Sequence, residues 1–160
     1  MRTFWKPLLL ITAIALLLAV YTLPALAMNK QTTPEKLGLV LVPFEEGYEI
    51  TGYTGTEEQL DLTKLILDKP VLRIGERAFA DSIITGIILP KTLRSIGEEA
   101  FSNSQLIKTR FPAGVTVVPR RCFASCMRLN KIYFSGKLER IEEEAFQYCG
   151  RLQSIKIPNT

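Results

Sequence analysis

The sequence predicts an α/β solenoid of short parallel strands stacked coil on coil, with irregular or 3-10 turns on its convex side. Two observations predict it. Residues 71–160 repeat with a period of 22–23 residues, the phenylalanines falling at Phe79, Phe101, Phe123 and Phe146. Within each copy a short apolar–polar alternation is followed by a chain breaker: Pro90, Pro112, Ser135-Gly136 and Pro158. One copy is too short to bury its own apolar face, so the copies must stack. A proline after each strand ends the hydrogen-bonded ladder because it has no N–H to give.

The chain opens with MRTFWKPLLLITAIALLLAVYTLPALA. Arg2 and Lys6 form a basic start, Leu8–Val20 is uncharged and apolar, and Ala25-Leu26-Ala27 places small residues where a signal peptidase reads. Residues 1–27 therefore read as a signal peptide cut between Ala27 and Met28. The alternative is an uncleaved anchor, since Phe4–Ala27 is long enough to span a bilayer. Either way the chain is expected to be exported, to the periplasm, the cell surface or the medium. Residues 28–36 read as a flexible polar leader. Residues 37–70 read as N-terminal strands and the lead-in to the repeats, with strand patterns over 37–43, 48–56 and 60–68.

Residues 71–160 read as four copies. Ile74, Ile96, Val118 and Ile141 stand five residues before the phenylalanines, and Val71, Leu93, Val115 and Leu138 stand eight before. Ala78, Ala100, Cys122 and Ala145 immediately precede them. The pairs Ile87/Leu89, Thr109/Phe111, Ile132/Phe134 and Ile155/Ile157 are the inward strand positions, because side chains alternate along a strand. The phenylalanines are the structural ladder, wedged between coils. Glu98-Glu99-Ala100-Phe101 reads as one helical or 3-10 turn.

The recurrence of Ile74-Gly75…Ala78-Phe79 and Ile96-Gly97…Ala100-Phe101, with the L-x-x-I-x-I/F-P strands, resembles the BspA-like leucine-rich repeat family of bacterial surface proteins. The resemblance covers residues 71–160, and residues 46–70 also fit it. It implies a curved, leucine-rich-repeat-like solenoid with a parallel sheet on the concave side. It also implies an exported protein, often associated with adhesion or host-protein binding, and supplies no catalytic motif. Val118-Pro119 and Ile141-Glu142 depart from the Ile-Gly pattern, so tighter or shifted turns are expected there.

Alternation puts two side-chain ladders on the concave face: Gly86, Lys108, Lys131, Ser154 and Ile88, Arg110, Tyr133, Lys156. Two readings stand. One is an ordinary solvated sheet face. The other is a shallow groove for a protein or glycan, with Lys108, Arg110, Lys131, Tyr133 and Lys156 as binding residues. The acidic run Glu142-Glu143-Glu144 reads as solvated turn. Cys126 and Cys149 share one ladder position with Ser82 and Ser104. They read either as small packing residues or, at a coil spacing of about 5 Å, as a disulfide pair.

The chain holds no histidine, which removes the commonest general base and zinc ligand. No catalytic residue, metal site or cofactor is expected, and the protein is not read as an enzyme. Without residues 1–27 there are 18 basic against 16 acidic residues, a charge of +2 and too little to point to nucleic acid. The last coil carries Leu138, Ile141, Phe146, Leu152, Ile155 and Ile157 with only three residues after it. That pattern suggests a homodimer through residues 138–160 or a structural role in assembly.

Overall fold

A computed structural model describes residues 32–157. Residues 1–31 and 158–160, and with them the signal-peptide reading, lie outside the described residues.

Eleven strands are described: β1 (Leu39–Phe44), β2 (Gly47–Tyr53), β3 (Gln59–Asp61), β4 (Val71–Ile74), β5 (Gly86–Ile88), β6 (Ser95–Ile96), β7 (Lys108–Phe111), β8 (Val117–Val118), β9 (Lys131–Phe134), β10 (Arg140–Ile141) and β11 (Ser154–Lys156). The odd-numbered strands from β3 form one five-stranded sheet in the order β11-β9-β7-β5-β3, and every pair in it is parallel. Each coil supplies one strand to it, and the even-numbered strands run along a second side. The fold is thus a β-solenoid. The α/β expectation needs correction, because the described helices are two 3-10 turns, Glu35–Leu37 and Leu62–Lys64.

The convex turns show why no helix forms. Alternate N–H groups bond inside the coil, as in Ser102 to the Glu99 carbonyl at 2.9 Å. The groups between them donate to the next coil: Phe79 to Ala100 at 2.8 Å, Phe101 to Cys122 at 2.9 Å and Phe123 to Ala145 at 2.8 Å. A helix would spend all these donors on itself. To alternate their direction the turns place Arg77, Asp81, Glu99, Asn103, Arg121, Ser125, Glu144 and Tyr148 at positive φ. Non-glycine residues visit that region at a cost, and the inter-coil bonds hold them there.

The core is a set of axial ladders. Phe79, Phe101 and Phe123 are fully buried. Their rings stack nearly parallel, with centroids 5.5 and 5.3 Å apart, and Phe146 continues the stack at 5.6 Å. Tyr53 covers the other end, 5.6 Å from Phe79. The strand ladder runs Leu60, Ile87, Thr109, Ile132, Ile155. Thr109 is its misfit: it is buried among aliphatic neighbours, and its hydroxyl has no partner among the described residues. Replacing it with isosteric valine removes an unsatisfied polar group. Thr109→Val is expected to raise stability by about 1 kcal/mol in urea melts. A loss would show that the hydroxyl is satisfied.

The N-terminal part holds three successive strands, the third much shorter than its pattern over 60–68. β1 and β2 form an antiparallel hairpin, and β2 then pairs parallel with β4. Of the strand expected over 60–68, only Gln59–Asp61 is extended. The Asp61 carboxylate accepts the Thr63 N–H at 3.0 Å and caps a 3-10 turn instead. The end of the expected leader is structured as well: Thr32 bridges to Leu65 in parallel fashion.

The turns after Val118-Pro119 and Ile141-Glu142 are not shifted, since Cys122 N–H donates to Pro119 and Ala145 N–H to Glu142 as Ala78 does to Gly75; what changes is the ladder of even-numbered strands. Gly97 N–H donates to Ile74 at 2.8 Å, and Glu142 N–H donates to Val118 at 2.9 Å. Between them the equivalent donor is Pro119, which has none. The ladder accordingly divides into a β1-β2-β4-β6 sheet and a separate β8–β10 pair.

Candidate functional site

The residues singled out from the sequence lie on the five-stranded sheet, the face that the repeat family resemblance implies is concave. The strands Lys-Thr-Arg-Phe (β7) and Lys-Ile-Tyr-Phe (β9) alternate exposed and buried positions, so their first and third side chains face out. Register brings Gly86, Lys108, Lys131 and Ser154 into one row, and Ile88, Arg110, Tyr133 and Lys156 into the next. All five binding residues named from the sequence therefore share one surface.

The Arg110 guanidinium lies over the Tyr133 ring, 4.9 Å from its centroid, and the Lys156 ammonium lies 5.9 Å from it. The two come from the strands on either side of β9. Such contacts stabilise by about 0.5–1 kcal/mol at exposed sites. They also hold the two cations in place. A shallow depression of about 440 Å³ adjoins this column, lined by Gln59, Gly86, Ile88, Lys108, Arg110 and Tyr133 among others. Gly86 opens it, because any Cβ there would run into the Gln59 amide. A larger depression of about 520 Å³ lies elsewhere, at the 62–71 loop and Pro90–Thr92. Its lining is largely aliphatic and proline, with Asp68, Lys69 and Lys91 at it, so its cations have a carboxylate beside them in the lining.

Gln59 and Asp61 belong to the same two rows and were missed from the sequence. Leu60 pairs with Ile87, 27 residues on. That step is five longer than the 22 between Phe79 and Phe101, so a fixed period passes over it.

Charge is distributed unevenly between the two sides. Away from the five-stranded sheet, four arginines are paired. Arg77 meets Glu99, and also Asp81 at 3.3 Å; Arg121 meets Glu144. Arg120 lies 3.8 Å from both Glu98 and Glu143, and Arg140 lies 2.8 Å from Glu142. The run Glu142–Glu144, read from the sequence as solvated turn, is thus tied to arginines. A hydrogen bond from Arg121 holds the Glu144 carboxyl below its usual range, and one from Arg140 does the same for Glu142. On the concave side Lys108, Arg110, Lys131 and Lys156 have no carboxylate within ion-pair distance among the described residues.

The three cysteines are free thiols. Cys126 donates to the Phe101 carbonyl and Cys149 to the Phe123 carbonyl, each at 3.0 Å, and Ser104 lies 3.4 Å from the Cys126 sulfur. Burial, reinforced by Cys126, pushes the Cys149 thiol up from 9.0 to about 11. Burial pushes Cys122 up still more firmly. A thiol whose folded value is raised holds its proton more tightly in the fold. Its contribution is therefore complete below pH 9 and is lost as pH rises toward about 11. Urea midpoints are expected to fall across that window, and to fall less in Cys149→Ala. Equal falls in the two proteins would assign the alkaline loss to other groups. Among the described residues, no group of three or more His, Cys, Asp or Glu side chains is placed to hold a metal ion.

Comparison with known proteins agrees with this geometry. The chain matches the solved structure of a leucine-rich cell surface protein from Faecalibacterium prausnitzii with a TM-score of 0.65 and 24% identity, over 73% of this chain and 31% of that one. It matches the T. pallidum leucine-rich repeat protein with a TM-score of 0.60 and 24% identity, over 81% of this chain and 72% of that one. At these identities the likeness shows the fold. The chain spans about a third of the Faecalibacterium protein. No curated protein matches it. The model of the BspA type leucine-rich repeat region matches residues 56–160 in six copies. With its stacked phenylalanine ladder and parallel sheet, this chain belongs to the BspA-type leucine-rich repeat family.

Proposed function

We propose that this protein is an exported binding or adhesion module whose concave sheet face recognises a protein or glycan. One observation carries the reading. The concave cations stand side by side without carboxylate partners, whereas Arg77, Arg120, Arg121 and Arg140, away from that face, each have one. A row of fixed, unneutralised cations raises the local concentration of an anionic partner. Its residue types, arginine and tyrosine, are those that anchor interfaces. Solenoids offer such faces because each coil adds one strand to a continuous surface. No enzyme activity is part of this reading.

Charge reversal at Lys108, Arg110 and Lys131 tests it. In pull-downs with residues 28–160, a specific protein or glycan captured by the native chain is expected to be lost with the reversed one. Capture that survives the reversal overturns the assignment to this face. The export half of the proposal has its own readout. Protein recovered from an exporting host is expected to begin at Met28, after loss of residues 1–27. A product retaining Phe4–Val20 would leave the chain anchored instead.

A second reading, assembly through residues 138–160, rests on the last described coil. Ile141, Tyr148 and Ile157 are 43%, 70% and 47% exposed, and Phe146 and Ile155 are only partly covered. The counterparts of Ile141, Phe146 and Ile155, namely Ile96, Phe101 and Ile87, are buried, while Tyr148 sits at a position that is not buried in the earlier coils either. Two copies meeting there would cover this surface. Light scattering at micromolar concentration is expected to show a dimer, and a strict monomer would overturn the reading.

A further inference from the structure

We infer that the occupant of the concave face is an acidic glycan lying along the solenoid axis across β7, β9 and β11. The inference rests on the concave-face reading above and specifies its ligand. Neutral sugars ordinarily bind a protein by stacking on an open aromatic face. At Tyr133 the Arg110 guanidinium already lies over the ring at 4.9 Å, with the Lys156 ammonium 5.9 Å from its centroid. What the column presents instead is positive charge. Lys108 and Arg110 stand two residues apart on β7, Lys131 stands on β9 and Lys156 on β11. Adjacent strands lie about 4.8 Å apart. The cations thus recur at one coil spacing between Lys108 and Lys131, and at two between Arg110 and Lys156.

This spacing separates a glycan from an acidic peptide. An extended peptide repeats same-side carboxylates every second residue, at about 6.6–6.8 Å, out of step with the coils. Nor can it add as a strand in the middle of the face, because β5, β7 and β9 are paired on both sides. A pyranose ring is comparable in length to one coil spacing, about 4.8 Å, so an acidic group on each ring can follow the rows. Toward β5 and β3 the outward residues become Gly86, Ile88, Gln59 and Asp61, and no cation follows. The contact is bounded there. Lys108 to Lys156 covers two coil spacings, about 10 Å, within the length of a hexasaccharide.

The test uses residues 28–160 and two probes in calorimetric titration, a heparin-derived hexasaccharide and hexaglutamate. The hexasaccharide is expected to bind with a salt-sensitive affinity. The Arg110→Gln/Lys131→Gln double variant is expected to weaken it by roughly tenfold or more, as two charge-assisted contacts are lost. Arg120→Gln/Arg121→Gln removes the same charge from the convex side and is expected to change it by less than roughly twofold. Thermal melts of both variants confirm that they fold. If hexaglutamate binds more tightly and loses affinity in the concave variant, the glycan assignment falls and the concave-face reading stands. If neither probe responds to the concave variant, or both respond equally to the convex one, both fall.

Discussion

Phe101→Ala is expected to cost about 3–5 kcal/mol, the usual range for emptying a buried phenylalanine site. Phe101 is 1% exposed and lies between two parallel neighbours, Phe79 at 5.5 Å and Phe123 at 5.3 Å. Its removal opens a gap in the middle of the stack and ends both ring contacts, each worth about 0.5–1.5 kcal/mol beyond burial. The surroundings can collapse only partly. The Phe101 backbone is pinned to Cys122 at 2.9 Å, and the Phe79 N–H to Ala100 at 2.8 Å. Domains of this size are stable by about 5–15 kcal/mol, so the variant is close to unfolding outright. Urea melts measure the loss. A cost below about 1 kcal/mol, far under that of a buried Phe→Ala change, would show that the stack is not the core. Phe146→Ala, at the half-covered end of the same ladder, is expected to cost less.

The second large effect comes from a single added methyl. A Cβ at Gly97 would stand 2.5 Å from the Glu76 nitrogen, 2.7 Å from the Gly75 carbonyl carbon and 2.9 Å from the Glu76 Cα. These are backbone atoms of the preceding coil, and they cannot swing aside as a side chain would. Relief requires β4 and β6 to part, which breaks the Gly97–Ile74 bond. Gly97→Ala is expected to lose about 1–3 kcal/mol, as overpacking of a fixed site does. Gly150→Ala is the matched control, since nothing lies within 4 Å of its added Cβ. That change is expected to be neutral or to stabilise by a few tenths of a kcal/mol. Equal urea midpoints for the two variants would refute the close coil approach at Gly97. Position 119, the equivalent of Gly97 in the next copy, loses the pairing for a different reason. There proline supplies both a ring and a missing donor, and the β6-to-β8 pairing is absent.

Much of this was legible because a solenoid is local in a special sense. Each residue's axial neighbours lie one period away, so a self-similar sequence reports its own contacts. The 22–23 residue step placed Phe79, Phe101, Phe123 and Phe146 in one stack, and simple alternation put Arg110 and Tyr133 outward and Thr109 and Ile132 inward. Where the period fails, the reading fails with it. Leu60 meets Ile87 across 27 residues, so Gln59 and Asp61 went unassigned to the concave rows. The β1–β2 hairpin has no counterpart in the repeats and left no periodic trace.

The sequence by itself determined the stacking, the core ladders and which residues share the concave face, because these follow from period and alternation alone. Tertiary structure decided three things. It replaced the expected helical turn by an alternating one, because the N–H groups that a helix would use internally are drawn to the next coil. It divided the second row of strands at Pro119. And it sorted the charges, joining Arg120, Arg121 and Arg140 to the Glu142–Glu144 run while leaving Lys108, Arg110, Lys131 and Lys156 without carboxylate partners among the described residues. Which arginine reaches which glutamate depends on coil offset and side-chain length, and neither carries a signature in a one-dimensional pattern of charge.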